Sequence, residues 1–384
     1  MNNIETILEK LISFKTISSN KNLDLIKYIQ TYLEELDINY HLDFNKTQDK
    51  ANIFFQVGPN IPGGVILSAH TDVVPIEGQE WNKDPFNLTK KNNLYYGRGT
   101  CDMKGFISVV LSSLSKMKSL KLKKPFQIAL SYDEEVGCLG APKMISKIKE
   151  KLPLASLAII GEPTSMKVVN SHKTSIGLKT KITGYEVHSS IMHEGVSAIM
   201  VSSEIINWLN KQNSKNEKKI KTYHDLLFTP PYTTLHVGKI NGGTATNITA
   251  RNCNFNVDIR CLPKEDPIEW IKNYERYCKK IEKRIKKINR DTSIIIENSH
   301  YVPGLKPEID GAAENLVRKL TGDNSQNSVS YGTEAGQYQE AGYSVVICGP
   351  GSIEQAHKEN EYISEKELRK CENFIDKLIK ENSY

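Results

Sequence analysis

Val65-Ile66-Leu67-Ser68-Ala69-His70-Thr71-Asp72 is the stretch whose reading decides the fold. A short apolar run of strand length ends in a histidine and an aspartate two positions apart. Runs of the same kind recur at Asn52–Val57, Phe126–Tyr132 and Leu157–Ile160. Between them lie longer helical patterns at Leu23–Leu36, Met103–Leu120 and Ala141–Lys151. Such alternation predicts an α/β domain with a mostly parallel central sheet flanked by helices. In sheets of that kind ligand sites lie beyond the C-terminal ends of the strands, which is where His70 and Asp72 stand.

From about Ile176 the pattern changes. Strand-like Ile176–Thr183, helical Ser197–Asn213, strand-like Thr233–Ile240 and Cys253–Arg260, and the Lys-rich helix Pro267–Ile288 make a smaller α+β set. After Arg290 the first pattern resumes, with a strand at Ser344–Cys348 and a closing helix at Ser364–Glu381. The expected organisation is one domain over residues 1–176 and 290–384, with a second over 177–289 inserted into it.

Composition narrows the possibilities further. With 39% hydrophobic residues the chain is too apolar to be disordered, and no apolar run reaches the ~20 residues of a membrane span. The 51 basic residues are nearly matched by 45 acidic ones, so the net charge of +6 names no nucleic-acid partner. The basic run Lys279–Arg290 reads as a solvated helix face with Ile281, Ile285 and Ile288 turned inward. Seven cysteines without a C-x-x-C pair predict reduced thiols rather than a disulfide framework. Met1 to Thr16 reads as an amphipathic helix rather than a signal peptide. A cytoplasmic protein is expected.

The chemistry-bearing residues cluster after the predicted strands. His70 and Asp72 face the same side of an extended segment, as a metal ligand and its orienting acid or as a plain strand-end pair. Gly97-Arg98-Gly99-Thr100-Cys101-Asp102 begins like a dinucleotide fingerprint but lacks its third glycine, and Asp102 reads equally as a helix N-cap. Asp133-Glu134-Glu135-Val136-Gly137 offers two adjacent acids, one able to ligate a metal and the other to move protons. Glu162, in Gly161-Glu162-Pro163-Thr164, and His357, after Gly349-Pro350-Gly351, complete the set. Together two histidines, one aspartate and two glutamates match the donors of a two-zinc hydrolase site, with one carboxylate bridging and an extra Glu as base. No H-E-x-x-H helix is present.

At this point the motifs S-A-H-T-D-V-V-P, G-R-G-T-C-D-M-K-G, D-E-E-V-G and G-E-P-T, in that order, are recognisable. The sequence resembles the dinuclear-zinc amidohydrolase and metallopeptidase family of acetylornithine deacetylase and succinyl-diaminopimelate desuccinylase, over almost the whole chain. Gly161–Ser165, Asn241–Asn247, Thr333-Glu334-Ala335 and the Gly349–Ile353 segment running into His357 look most like its acetylornithine deacetylase branch.

The resemblance implies roles. His70 and Glu162 hold one zinc, Glu135 and His357 the other, and Asp102 bridges both, with a cis bond to Met103. Cobalt is a possible substitute. Asp72 orients His70, and Glu134 is the general base and then acid. The insert is a lid and dimerisation domain. Its Gly184–Ser190 segment carries His188, which reaches the active site of a partner subunit and helps hold the oxyanion; Val187 replaces the usual Gly before it. Asn247 and Arg260 bind the substrate end, with Arg260 forking onto an α-carboxylate. Thr333 belongs with these contacts, and charge and position make Glu334 a partner for a substrate ammonium.

The expected activity is hydrolysis of the acetyl amide of N2-acetyl-L-ornithine, a step of arginine biosynthesis, by a homodimer acting on a small molecule. A desuccinylase, and a dipeptidase or carboxypeptidase on the same metals, are the alternatives. A non-catalytic metal-binding protein is a more distant one, since it expects a ligand or base position to be lost.

Overall fold

The structure, a computed structural model, describes residues 3–384. It divides into two units. The first runs to Ser171 and resumes over Leu305–Asn327 and Thr333–Tyr384; the second comprises His172–Gly304 and Ser328–Gly332.

Six strands lying wholly in the first unit stand side by side in the order Tyr40–Phe44, Ala51–Val57, Phe126–Ser131, Val65–His70, Leu157–Pro163 and Ser344–Gly349. The last four run parallel, Ala51–Val57 joins them antiparallel, and Tyr40–Phe44 pairs antiparallel with Ala51–Val57. Every residue of Val65–His70, Phe126–Ser131 and Leu157–Pro163 is buried, as expected where helices cover both faces of a parallel sheet. Of the expected first helix, Met1 and Asn2 lie outside the described residues. The helix itself is Ile4–Ser13, which buries Ile7, Leu8, Leu11 and Ile12 and starts where Asn3 accepts from the Thr6 N–H. It packs with Gly105–Ser119, which in turn meets the closing helix Glu365–Glu381. The four parallel strands therefore end along one edge, and His70, Glu134, Glu135, Glu162 and His357 all lie at or just beyond those ends.

The second unit is a four-stranded antiparallel sheet in the order Thr234–Gly242, Asn252–Cys261, Thr174–Thr183 and Ser293–Val302, with helices Ala198–Lys218 and Pro267–Ile285. Asn252–Cys261 alternates buried and solvated residues, the pattern of a sheet with one covered face. The expected boundary at 289 is corrected here: Ser293–Val302 pairs along Thr174–Thr183 and extends the unit to Gly304. This strand lies at the sheet edge, and its brief apolar run Ile294–Ile296 gives way to the polar, mostly solvated Glu297–His300. The Lys-rich helix buries Tyr274, Cys278, Ile281 and Ile285, while Ile288 lies beyond its end and is exposed rather than turned inward.

No described helix is long and apolar enough to cross a membrane. The seven cysteines are all free and buried.

Candidate metal centre

One turn presents Asp102 at the middle of the centre. Gly99 has a φ of 85°, a conformation that glycine adopts without strain, and a Cβ there would meet Val73 at 2.8 Å. It opens the turn Thr100–Lys104, in which Asp102 is extended (φ −122°, ψ 93°) and its peptide bond to Met103 is cis. The helix begins only at Gly105, so Asp102 is no N-cap. Its side chain points instead to two histidines. Oδ1 lies 2.9 Å from His70 Nε2, and Oδ2 lies 3.2 Å from His357 Nε2. Glu162 Oε1 stands 3.8 Å from His70 Nε2, and Glu135 Oε2 stands 2.9 Å from His357 Nε2.

The result is two groups of three donors, His70–Asp102–Glu162 and Asp102–Glu135–His357, each with its donor atoms within 4.8 Å of one another. They share Asp102, one oxygen to each side. Nitrogen and carboxylate donors in such numbers suit zinc, cobalt or manganese. Glu135 Oε1 is buried with no hydrogen-bond partner among the described residues, a lone pair that a cation would satisfy. The residues present fit two divalent cations.

The electrostatics point the same way. Burial pushes Glu134 up to about 8 and Glu135 up to about 7; the Glu135 charge adds to the first shift and the Asp102 charge to the second. Burial, then the charge of Asp102, holds Glu162 well above its ordinary value. Burial opposes protonation of His70, but the bond to Asp102 and the charges of Glu162 and Asp102 outweigh it and hold the imidazole well above its usual range. His357 is raised to about 11 by its bonds to Asp102 and Glu135. Without cations, burial favours the protonated forms of Glu134, Glu135 and Glu162, while at Asp102 the bonds from His357 and His70 outweigh burial and hold the carboxyl well below its usual range. A cation would displace those protons.

The surrounding bonds differ from expectation in two places. His70 Nδ1 donates to the Asp72 backbone carbonyl at 2.9 Å, while the Asp72 carboxylate is 3.7 Å away. A carbonyl only accepts, so Nδ1 carries the proton and Nε2 faces the centre. The carboxylate of Asp72 instead accepts from Ser18 Oγ and from the backbone N–H groups of Glu134 and Glu135, at 2.7, 3.1 and 3.3 Å. Asp72 thus holds the histidine through its carbonyl and the two glutamates through its carboxylate.

Glu334 is the second difference. It is 1% exposed, and its carboxylate accepts from Ser131 Oγ and, at 3.2 Å, from Ser68 Oγ. It ties the ends of two strands from within, so it offers no solvent-facing oxygen to a substrate ammonium. Neighbouring Thr333 is buried too, its hydroxyl accepting from the Ala335 N–H.

Cys138, which the motif reading passed over, donates its thiol to Glu134 Oε1 at 3.2 Å. Burial, then the Glu134 charge, pushes the thiol well above its usual value, so it stays a donor. Nothing in a list of scattered cysteines marks this one.

His188, Asn247 and Arg260 lie in the second unit. His188 and Asn247 are brought together there: the Ser189 N–H donates to the Asn247 carbonyl at 2.8 Å, and His188 bridges Ile248. Both side chains are exposed, and His188 Nδ1 is 2.7 Å from Ser190 Oγ. Arg260 is half-buried and donates to Asp258 at 3.0 Å.

Comparison with known proteins gives the family and the fold. Residues 66–381 match the model of Peptidase family M20/M25/M40. The chain is 33% identical over 376 residues to an acetylornithine deacetylase of Pasteurella multocida, covering 96% of this chain and 95% of that one. Its fold is similar to that of an M20 family metallo-carboxypeptidase of Sulfolobus solfataricus (TM-score 0.77, 17% identity, 99% of each chain). It is also similar to that of a dinuclear metal-binding peptidase of the same family from Bacillus subtilis (TM-score 0.64, 14% identity, 98% of this chain and 96% of that one). Sequence match and fold together identify a metal-dependent hydrolase, and the chain belongs to peptidase family M20/M25/M40.

Proposed function

We propose that the protein hydrolyses the acyl amide of N-acyl α-amino acids, with N2-acetyl-L-ornithine as substrate. The observation that carries the chemistry is the shared carboxylate of Asp102, which faces a histidine with each oxygen, beside a glutamate pair. The 33% identity to an acetylornithine deacetylase supports the choice of substrate.

His70, Asp102 and Glu162 would hold one zinc ion, and Asp102, Glu135 and His357 a second. Bound there, two such cations acidify water and polarise a carbonyl. Glu134 takes the proton of the attacking water. Its Oε1 already carries the Cys138 thiol bond, so the proton resides on Oε2. The same carboxyl then gives that proton to the leaving amine nitrogen, without which amide cleavage stalls. Asp72 holds the backbone of Glu134 while this happens. His188 donates to the oxyanion from a partner subunit. Arg260 forks onto the α-carboxylate and Asn247 assists it. Seven free thiols fit a reducing cytoplasm.

The test is a panel: amine release from acetylornithine, acetylmethionine, succinyl-diaminopimelate and a dipeptide, after chelation and after zinc or cobalt is restored. Acetylornithine should show the highest kcat/KM, and only with metal present. A preference for the succinyl substrate or the dipeptide would overturn the substrate, and metal-independent turnover the mechanism.

A further inference from the structure

Outside the donor set, Arg98 and Glu361 form an ion pair 1% exposed on both sides, Nη1 to Oε2 at 2.8 Å. Burying both charges is costly and is offset only when further hydrogen bonds are made. Here those bonds go to the segments that carry donors. Glu361 Oε2 also accepts from the Gly99 N–H at 2.9 Å, and Oε1 from the N–H groups of Cys101 and Asp102 at 2.9 and 3.1 Å. One carboxylate thus takes three N–H groups of the turn that presents Asp102.

Arg98 reaches the other way. Its Nη1 donates to the Lys358 carbonyl at 3.2 Å, and its Nη2 to Gln79 Oε1 at 2.5 Å and to the Pro75 carbonyl at 3.4 Å. Gln79 passes the contact on, Nε2 donating to the His357 carbonyl at 2.8 Å. The Trp81 ring lies 5.1 Å from the guanidinium. A continuous chain of bonds therefore links the Asp102 N–H to the backbone of His357, whose φ of 61° is in the left-handed region and has to be held there.

We propose that Arg98 and Glu361 are positioning residues that hold Asp102 and His357 at the separation needed for the Asp102–Glu135–His357 group to close round a cation. This rests on the reading of that group as metal donors. The first group depends on the pair less, because His70 and Glu162 stand on strands and only Asp102 is shared. The signature is selective loss of one ion of two.

Glu361→Gln keeps the shape but offers one acceptor oxygen, so an NH2 group must confront backbone donors. Metal content and affinity, measured by competition with a chromophoric chelator in zinc buffers, should show one ion held as in the parent. The second should be weakened about 10–100-fold. The kcat should fall while KM for acetylornithine stays within about twofold, as expected when substrate binding is untouched. Arg98→Lys, which retains the charge but loses the fork to Gln79, should show the same selective loss and decides the matter if Glu361→Gln does not fold. Two ions at parent affinity, or both weakened equally, overturn the inference. Asp102→Asn is run alongside: if it retains both ions, the donor reading itself fails. If Asp102→Asn loses them while Glu361→Gln keeps them, only the positioning role fails.

Discussion

Glu134 is held at two points before any substrate arrives: its N–H by Asp72 Oδ1 and its Oε1 by the thiol of Cys138. In the proposed mechanism, a carboxylate so fixed leaves one oxygen, Oε2, for the role of base. Glu134→Gln should keep both metal ions, because neither donor group contains Glu134, yet lower kcat about 10²–10⁴-fold. Metal analysis beside steady-state kinetics checks this, and a variant of parental kcat removes Glu134 from the mechanism. At this scale the sequence was legible where chemistry is local. Adjacent acids after a strand, or a histidine two positions from an aspartate, announce themselves. Arg98 and Glu361, separated by 263 positions, do not, and each sits in a segment where a charged residue looks like ordinary loop polarity. Glu334 misled for the same reason: its charge was visible and its burial was not.

Among the elements, the close fit of strand Leu157–Pro163 against helix Gly105–Ser119 sets where Glu162 stands. A Cβ on Gly161 would lie 2.2 Å from the Phe106 ring, far inside contact distance. Gly161→Ala should therefore displace the strand end, destabilising the first unit by roughly 1–3 kcal/mol and weakening retention of the His70-side ion. Denaturant titration of parent and variant, each with and without zinc, reads both effects, and an unchanged midpoint with unchanged zinc affinity contradicts the fit. Strands buried on both faces, such as Phe126–Ser131 and Ser344–Gly349, were legible because each is a plain apolar run. Tyr40–Phe44 and Ser293–Val302 were not. Both lie at sheet edges with one fully buried residue each, and their alternating apolar residues, Tyr40 and Leu42 in one and Ile294 and Ile296 in the other, are only partly buried against a core, so the signal of each is short and weak.

For the whole molecule, the proposed dimer makes a quantitative claim. If His188 serves the partner's centre, mixing His188→Ala with Glu134→Ala subunits restores one intact site in each mixed dimer. With random pairing, activity should recover to about a quarter of the parent's. If His188 serves its own chain, no pairing yields an intact site and the mixture stays inactive; sedimentation of the same mixture shows whether dimers formed.

The placement of the second unit within the chain also sets an order in time. The sheet neighbours Tyr40–Phe44, Ala51–Val57, Phe126–Ser131, Val65–His70 and Leu157–Pro163 all come from the first 163 residues, and Ser344–Gly349 alone among the six is made later. As the chain leaves the ribosome, His70, Asp102 and Glu162 are present long before His357. For the whole synthesis of residues 172–304 the strand Leu157–Pro163 lacks its neighbour and presents an open parallel edge, the kind that recruits other chains. On the proposed donor reading, a nascent chain at that stage already carries His70, Asp102 and Glu162 for one ion but still lacks His357 for the other.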